Sequence, residues 1–169
     1  MAQIRKMTSS DLPRVVQIEK ACFGERWTLN SFQHELANAA SSYFVAVEDG
    51  EIIGYAGYWL ILEEAHVTTI GVDPKFQRRG FGEFLMLHLV EHAERAGAKW
   101  VTLEVRASNY GAQKMYEKFG FSSLGRRKGY YQDNNEDALI MWTENISIPE
   151  YQTQLAALRE GLAKRGTTA

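Results

Sequence analysis

The feature that most restricts the fold is a short turn, Gln77-Arg78-Arg79-Gly80-Phe81-Gly82, set between an apolar run and an amphipathic one. Before it, His66-Val67-Thr68-Thr69-Ile70-Gly71-Val72 reads as a strand closed by Asp73-Pro74. After it, Leu85, Met86, Leu89, Val90 and Ala93 recur at i, i+3/i+4 spacing, which predicts a helix with one buried face. The turn therefore joins a strand to a helix in a layered α/β architecture. Glycines at a helix start leave backbone N–H groups unshielded, and the first-turn amides have no intrahelical acceptor. A phosphate or pyrophosphate suits such a place, and Arg78 and Arg79 add to the attraction. Gly80 and Gly82 serve equally well as residues that let a tight turn enter a helix. No Gly-Lys-Ser/Thr follows, and the first glycine of the dinucleotide fingerprint is missing, so the anion belongs to another phosphate-bearing ligand.

A chain of 169 residues that is 45% hydrophobic suffices for one domain with a substantial core. Its formal charge of −2 gives no general drive toward nucleic acid or an anionic membrane, so direct binding to either is not expected. The single cysteine, Cys22, rules out an internal disulfide and fits a reducing compartment. No run approaches the roughly 18 apolar residues of a membrane span. Met1-Ala2-Gln3-Ile4-Arg5 lacks the apolar stretch of a signal peptide. A soluble cytoplasmic protein is expected; its oligomeric state is left open.

Ile4 to Met7 reads as a short strand, and Ser9-Ser10-Asp11 with Pro13 starts a helix reaching about Cys22. Thr28 is placed to cap a second helix with Phe32 and Leu36 on one face. Tyr43 to Val47 and Ile52 to Trp59 flank Glu48-Asp49-Gly50-Glu51, a hairpin signal, and His66 to Val72 makes the third strand of this meander. Trp100 to Val105 is a further strand, and Asn109 caps a short helix that turns Ala112, Met115, Tyr116 and Phe119 inward. Strands at Phe121 to Leu124 and Asp137 to Trp142 bracket a polar loop holding Tyr130 and Tyr131. Beyond Pro149, the positions of Tyr151, Leu155, Leu158 and Leu162 predict a docked terminal helix or, less simply, a partner-binding one. The expected fold is a mixed α/β sheet over residues 1–145, with a helical extension at 146–169.

Taken together, Gln77 to Gly82, Leu103-Glu104-Val105-Arg106-Ala107-Ser108-Asn109 and Met115-Tyr116-Glu117-Lys118-Phe119-Gly120-Phe121 resemble the GNAT superfamily of N-acetyltransferases. Leu103 to Asn109, with Gly129-Tyr130-Tyr131 and Glu136-Asp137-Ala138, is similar to its RimI branch, which acetylates the N-terminal alanine of a small-subunit ribosomal protein. The resemblance runs from about Ile4 to Trp142. It implies the GNAT fold, an antiparallel meander followed by parallel strands splayed into a V-shaped cleft, and it implies acetyl-CoA as the donor. It also implies that backbone groups of Ile70, Gly71 and Val72 pair with the pantetheine arm, with the Val72 N–H facing the thioester oxygen as charge develops there. Gln77, Arg78, Arg79, Gly80, Phe81 and Gly82 would then hold the pyrophosphate, and Asn109 would cap its helix and contact the arm.

Transfer to an amine needs a neutral nucleophile. An α-amine, with pKa about 7.7–8.0, is partly neutral near pH 7, whereas a lysine is neutral about one time in a thousand. A modest base, acting directly or through water, therefore serves an N-terminal substrate. Glu104 follows the apolar Leu103 near the end of its strand, where it is either a cleft residue or a solvent-facing carboxylate. The resemblance implies that it is the base. Tyr116 is either a packing residue or, as the resemblance implies, the acid that protonates the leaving thiolate. The resemblance also places Tyr130 and Tyr131 at the first peptide bonds of the acceptor and Trp27, Thr28 and Phe32 on the opposite wall. Buried aromatic packing is the plain alternative for Trp27 and Phe32.

Other readings remain: acetylation of lysine or a small amine, and a non-catalytic acyl-CoA sensor, against which Glu104 and Tyr116 argue. His88-Leu89-Val90-Glu91-His92 spells the inverted zinc-peptidase pattern. His88 and Glu91 fall opposite the apolar helix face and are expected in water, with no clear third ligand, so no metal is expected.

Overall fold

The computed structural model describes residues 2–165. Strands β1 (Gln3–Lys6), β2 (Ser41–Glu48), β3 (Glu51–Ile61), β4 (Glu64–Val72), β5 (Trp100–Arg106), β6 (Ser122–Tyr131) and β7 (Glu136–Trp142) form one sheet. Their order is β1-β2-β3-β4-β5-β7-β6. Helices α1 (Leu12–Phe23) and α2 (Leu29–Leu36) cover one face, where Leu12, Val15, Ile18 and Phe32 meet Tyr43, Val45 and Tyr55. Helices α3 (Phe81–Arg95), α4 (Tyr110–Lys118) and α5 (Pro149–Lys164) serve the larger core, in which Phe84, Leu85, Leu89 and Val90 of α3 meet Phe44, Ile53, Val67 and Val101. The two periodicities explain this layering: apolar residues recur at helical spacing in α3 and alternate in β5, where Val101, Leu103 and Val105 are buried.

The expected parallel strands are the pair β4 and β5. Beside them, β7 pairs antiparallel with both β5 and β6. A short turn joins β6 to β7, and a short turn can only produce an antiparallel pair. Tyr130 and Tyr131, expected in a loop, end the long strand β6 instead. The register of that hairpin jumps between Arg127 and Tyr131, so the residues between them bulge out of the ladder.

The segment after residue 145 shares the core of what precedes it. Tyr151, Leu155 and Leu162 are buried, each side chain worth about 1.5–3 kcal/mol relative to exposure. The Tyr151 hydroxyl donates to the Phe119 carbonyl at 2.7 Å. Gly120 has φ +83, and a Cβ there would lie 3.0 Å from the Tyr151 ring. Met1 and the end of the predicted 146–169 extension, residues 166–169, lie outside the described residues.

Candidate active site

The β4–β5 pair is short. It runs from Glu64 opposite Trp100 to His66 opposite Thr102 and then stops, so the strands part. On its other side β4 stays paired with β3 as far as Val72. The phase of that ladder decides which backbone groups face the gap. The Asp73 N–H donates to the Ile53 carbonyl at 2.8 Å, and hydrogen-bonded pairs alternate along an antiparallel ladder. Gly71 opposite Tyr55 is therefore bonded to β3, whereas Ile70 and Val72 turn their N–H groups outward, toward the side β5 has left. Of the three backbone positions expected to face the donor, Gly71 is the one the ladder uses. Its missing side chain serves packing: a Cβ would lie 2.6 Å from the Tyr55 hydroxyl oxygen.

The end of β4 is fixed by side chains. The Val72 carbonyl accepts from Gln77 Nε2 at 2.9 Å and from the Cys22 thiol at 3.1 Å. Gln77, expected at a phosphate, thus anchors the strand that carries the Val72 N–H. Burial pushes the Cys22 thiol up to about 11, so it remains a thiol and a donor. Asp73 accepts from the Lys75 N–H at 3.0 Å and holds Arg14 of α1 at 2.5 Å.

Gly80 takes φ +87 as the residue before α3, a conformation that needs glycine, so the turn reading of Gly80 is correct in itself. Gly82 is explained by packing, because a Cβ there would lie 3.2 Å from Met115 Sδ of α4. Neither use hides the amides at the α3 start, which have no acceptor within the helix. Arg79 lies against the Phe76 and Phe81 rings and reaches Glu48 at 3.4 Å. Arg78 is exposed with φ +64. The outward amides of β4 lead to this helix start, an arrangement that fits an extended ligand ending in phosphates.

Glu104 lies two residues beyond the last β4–β5 pair, on the face of β5 opposite the buried Leu103 and Val105. His66 Nε2 stands 2.6 Å from its Oε2, and Arg127 of β6 stands 3.9 Å from its Oε1. The His66 hydrogen bond, with the His66 and Arg127 charges adding, holds this carboxyl below its usual range despite burial. It is a carboxylate at neutral pH. Tyr116 is buried, and that burial raises its phenol, so it keeps its proton. Asn109 caps α4 by accepting from the Ala112 N–H at 3.2 Å, as its sequence position suggests. Gln113 ties the same helix to the Arg106 and Ala107 carbonyls, both at 3.0 Å.

The opposite wall differs from expectation. Phe32 is wholly buried beneath α2, edge-on to Tyr55 at 5.8 Å, and cannot touch an acceptor. The apolar face that seats α2 on the sheet consumes it. Thr28 is an N-cap, accepting from the Ser31 N–H at 3.2 Å. Trp27 is half-buried against Phe32. Tyr131 is also buried, between the guanidinium groups of Arg26 at 4.7 Å and Arg106 at 4.0 Å. Tyr130 remains exposed, with Arg127 over its ring at 5.6 Å. Arg26, Tyr130, Tyr131, Gln132 and Asp133 line a depression of about 420 Å³. Sequence reasoning missed Arg26 and His66. Their importance arises from pairings between distant segments, for which no local spacing is a signal.

The side chains of the His88–His92 segment are engaged in packing and hydrogen bonds, and the expectation that His88 faces water fails. Its ring packs edge-on to Phe44 at 4.5 Å, and burial pushes the imidazole down to about 4. His92 is bonded to the Tyr58 hydroxyl at 2.6 Å, and Glu91 binds Arg159 of α5 at 2.5 Å. Among the described residues, no group of three potential ligands could hold a metal ion, and no helix is long and apolar enough to cross a membrane.

Comparison with known proteins agrees with this geometry. Residues 12–121 match the model of the acetyltransferase (GNAT) family. A Bacillus subtilis relative, provisionally named a ribosomal protein bS18-alanine N-acetyltransferase, is 42% identical over 142 residues, covering 83% of this chain and 94% of its own. The Escherichia coli ribosomal protein bS18-alanine N-acetyltransferase is 35% identical over 145 residues, covering 83% and 96%. A crystal structure of the Escherichia coli enzyme superposes with a TM-score of 0.81 at 34% identity, over 88% of this chain and 96% of that one.

Proposed function

Because the chain belongs to the acetyltransferase (GNAT) family, we propose that it acetylates the α-amine of a protein N-terminus, that of the alanine opening a small-subunit ribosomal protein. The donor is acetyl-CoA, which when bound supplies an acetyl group activated as a thioester. One observation carries this reading: the parting of β4 from β5 just beyond His66, which leaves the Ile70 and Val72 amides facing a cleft that ends at the α3 start. That reading places its work in the cytoplasm, where ribosomal proteins are made.

Each residue then has a task. The amides of Gly80, Phe81 and Gly82 and the charge of Arg78 hold phosphates, while the Val72 N–H offers a hydrogen bond where the carbonyl oxygen gains negative charge. Glu104 is ionised, so it attracts an ammonium and takes its proton as the amine attacks. Tyr116 is protonated and gives its proton to the departing sulfur. Gln77 and Cys22 keep the Val72 end of the strand in place. Tyr130, Arg26 and Arg127 border the acceptor entrance.

The test is a kinetic comparison across peptides beginning Ala-Arg, Ser, Met and Thr, with an N-terminally blocked lysine peptide beside them. The expected order places Ala-Arg first by about tenfold or more in kcat/KM, about 1.4 kcal/mol. Preference for the blocked lysine peptide would overturn the α-amine assignment.

A further inference from the structure

His66 has no part in the roles assigned above. It occupies the last paired position of β4, where the cleft opens. Its Nε2 is bonded to Glu104 Oε2 at 2.6 Å, and its side chain is 28% exposed. Trp59 of β3 stands edge-on to the ring at 5.7 Å, and its indole N–H is bonded to Glu35 of α2. The ring is therefore fixed from behind as well as in front. A carboxylate only accepts, so the shared hydrogen sits on His66 Nε2, which makes this a charge-assisted bond. The two oxygens of Glu104 consequently differ: Oε2 is held by His66 at 2.6 Å, while Oε1 meets Arg127 only at the longer distance of 3.9 Å.

The geometry points to His66 as the positioning residue of Glu104: its Nε2–H clamps Oε2 and thereby presents Oε1, ionised, to the acceptor amine. This rests on the α-amine acetyltransferase reading. The proton balance is simple. One N–H bond of the acceptor ammonium breaks and an O–H bond forms at Oε1, that proton later passing to water. The second N–H proton, lost as the amide forms, returns to the Tyr116 phenolate left when Tyr116 protonated the departing sulfur. His66 donates a hydrogen bond throughout and transfers no proton of its own. The neighbouring groups are accounted for. Arg127 reaches in from β6; Arg106, next on the same face of β5, is engaged by Asp133 and Glu136. Glu35 is bonded to Trp59 and Ser41, and Tyr43 of β2 is bonded to Thr68 of β4. None of these replaces the His66 bond. Loss of that bond leaves burial to push the Glu104 carboxyl up.

The test compares His66→Phe, His66→Gln and His66→Asn with wild type by two readouts. One is the pH profile of kcat/KM with an N-terminal alanine peptide at saturating acetyl-CoA. The other is a carboxyl-carbon NMR titration of Glu104, which requires no acceptor. Glutamine puts an amide N–H where Nε2 stands, whereas asparagine is too short to reach. The Phe and Asn variants should move the Glu104 titration and the acid limb upward together, losing about tenfold in rate at the acid end for each pH unit moved and little near pH 8.5. His66→Gln should recover to within about threefold of wild type. An unmoved Glu104 titration in Phe or Asn, or an equal fractional loss of rate at every pH, would overturn the positioning role. Should the Phe variant not fold, Asn against Gln carries the same comparison. Should wild type acetylate no α-amine, the functional reading falls while the NMR titration still decides whether His66 sets Glu104.

Discussion

On the proposed function, the two walls of the cleft are built from different materials. The donor wall is backbone: the outward amides of Ile70 and Val72 and the first turn of α3, set by the deep packing of Val72, Phe81 and Gly71. The acceptor wall is side chains: Glu104 with His66, Arg127 over Tyr130, and Arg26 against Tyr131. Backbone groups keep their place whichever apolar side chains surround them, so one donor can be held by many sequences. Side chains on a bulged hairpin and an interhelical loop change with single substitutions, and on this proposal they would choose the acceptor. Substitutions on the two walls should therefore read out differently, the acceptor wall in turnover and the donor wall in cofactor affinity or not at all.

The largest effect expected follows from Glu104. Glu104→Gln keeps shape and a hydrogen bond to His66 but cannot take a proton, so kcat should fall about 10²–10³-fold, with CoA affinity nearly unchanged. Tyr116→Phe should lower kcat less, about 10–10²-fold, because water can replace part of its proton delivery. Steady-state turnover beside calorimetric CoA binding checks both. Wild-type turnover in either variant would remove that residue from the chemistry, and a large loss of CoA affinity in Glu104→Gln would break the division between the walls.

The division also explains what the sequence disclosed. The strand, turn and helix at 66–93 were legible because periodicity and glycine placement are local, and Glu104, Asn109 and Tyr116 lie in one contiguous stretch. The position of His66 against Glu104 was not, since it depends on which strand lies beside β5 and in what register. Phe32 and Tyr131 were placed at the acceptor by the resemblance, with buried packing the open alternative for Phe32, because aromatic residues suit both burial and binding. Tertiary packing alone placed them beneath α2 and between two guanidinium groups. The splayed parallel pair came with the family resemblance, whereas the antiparallel place of β7 between β5 and β6 depends on pairings that no local pattern displays.

A smaller effect is expected at the phosphate turn. Arg78→Ala should weaken CoA about three- to tenfold, near 1 kcal/mol, and the loss should shrink with added salt because this side chain is exposed. Arg79→Ala should weaken CoA less, since its guanidinium is engaged by Phe76, Phe81 and Glu48. Titration calorimetry at two ionic strengths separates the pair. Equal losses that ignore salt would show that the turn contributes shape and not charge.

The smallest effect tests whether the donor wall is set in advance by its backbone. Glu19 of α1 is buried behind β4, accepting from the Tyr55 hydroxyl at 2.9 Å and from Thr69 at 3.2 Å. Burial raises its carboxyl above the ordinary 4.5, though both hydrogen bonds and the charge of Arg26 oppose the shift. Below 4.5 it is neutral whether folded or unfolded. As pH rises, the unfolded chain ionises first, so the folded state loses stability until its own raised pKa is passed. Asp11 works in the opposite sense and in another window. Its pairing with Arg5 lowers it to about 2, so its stabilisation is full above about 4 and is lost as pH falls through 2. Glu19→Gln keeps an acceptor for Tyr55 and Thr69 and removes the charge. Its stability relative to wild type should therefore rise from pH 4.5 toward 7 and stay level with pH near 3. Urea unfolding across that range measures this, and CoA affinity should stay at its wild-type value. A shift in CoA affinity without a change of fold would mean that the buried carboxyl, not the ladder alone, aims the amides of Ile70 and Val72.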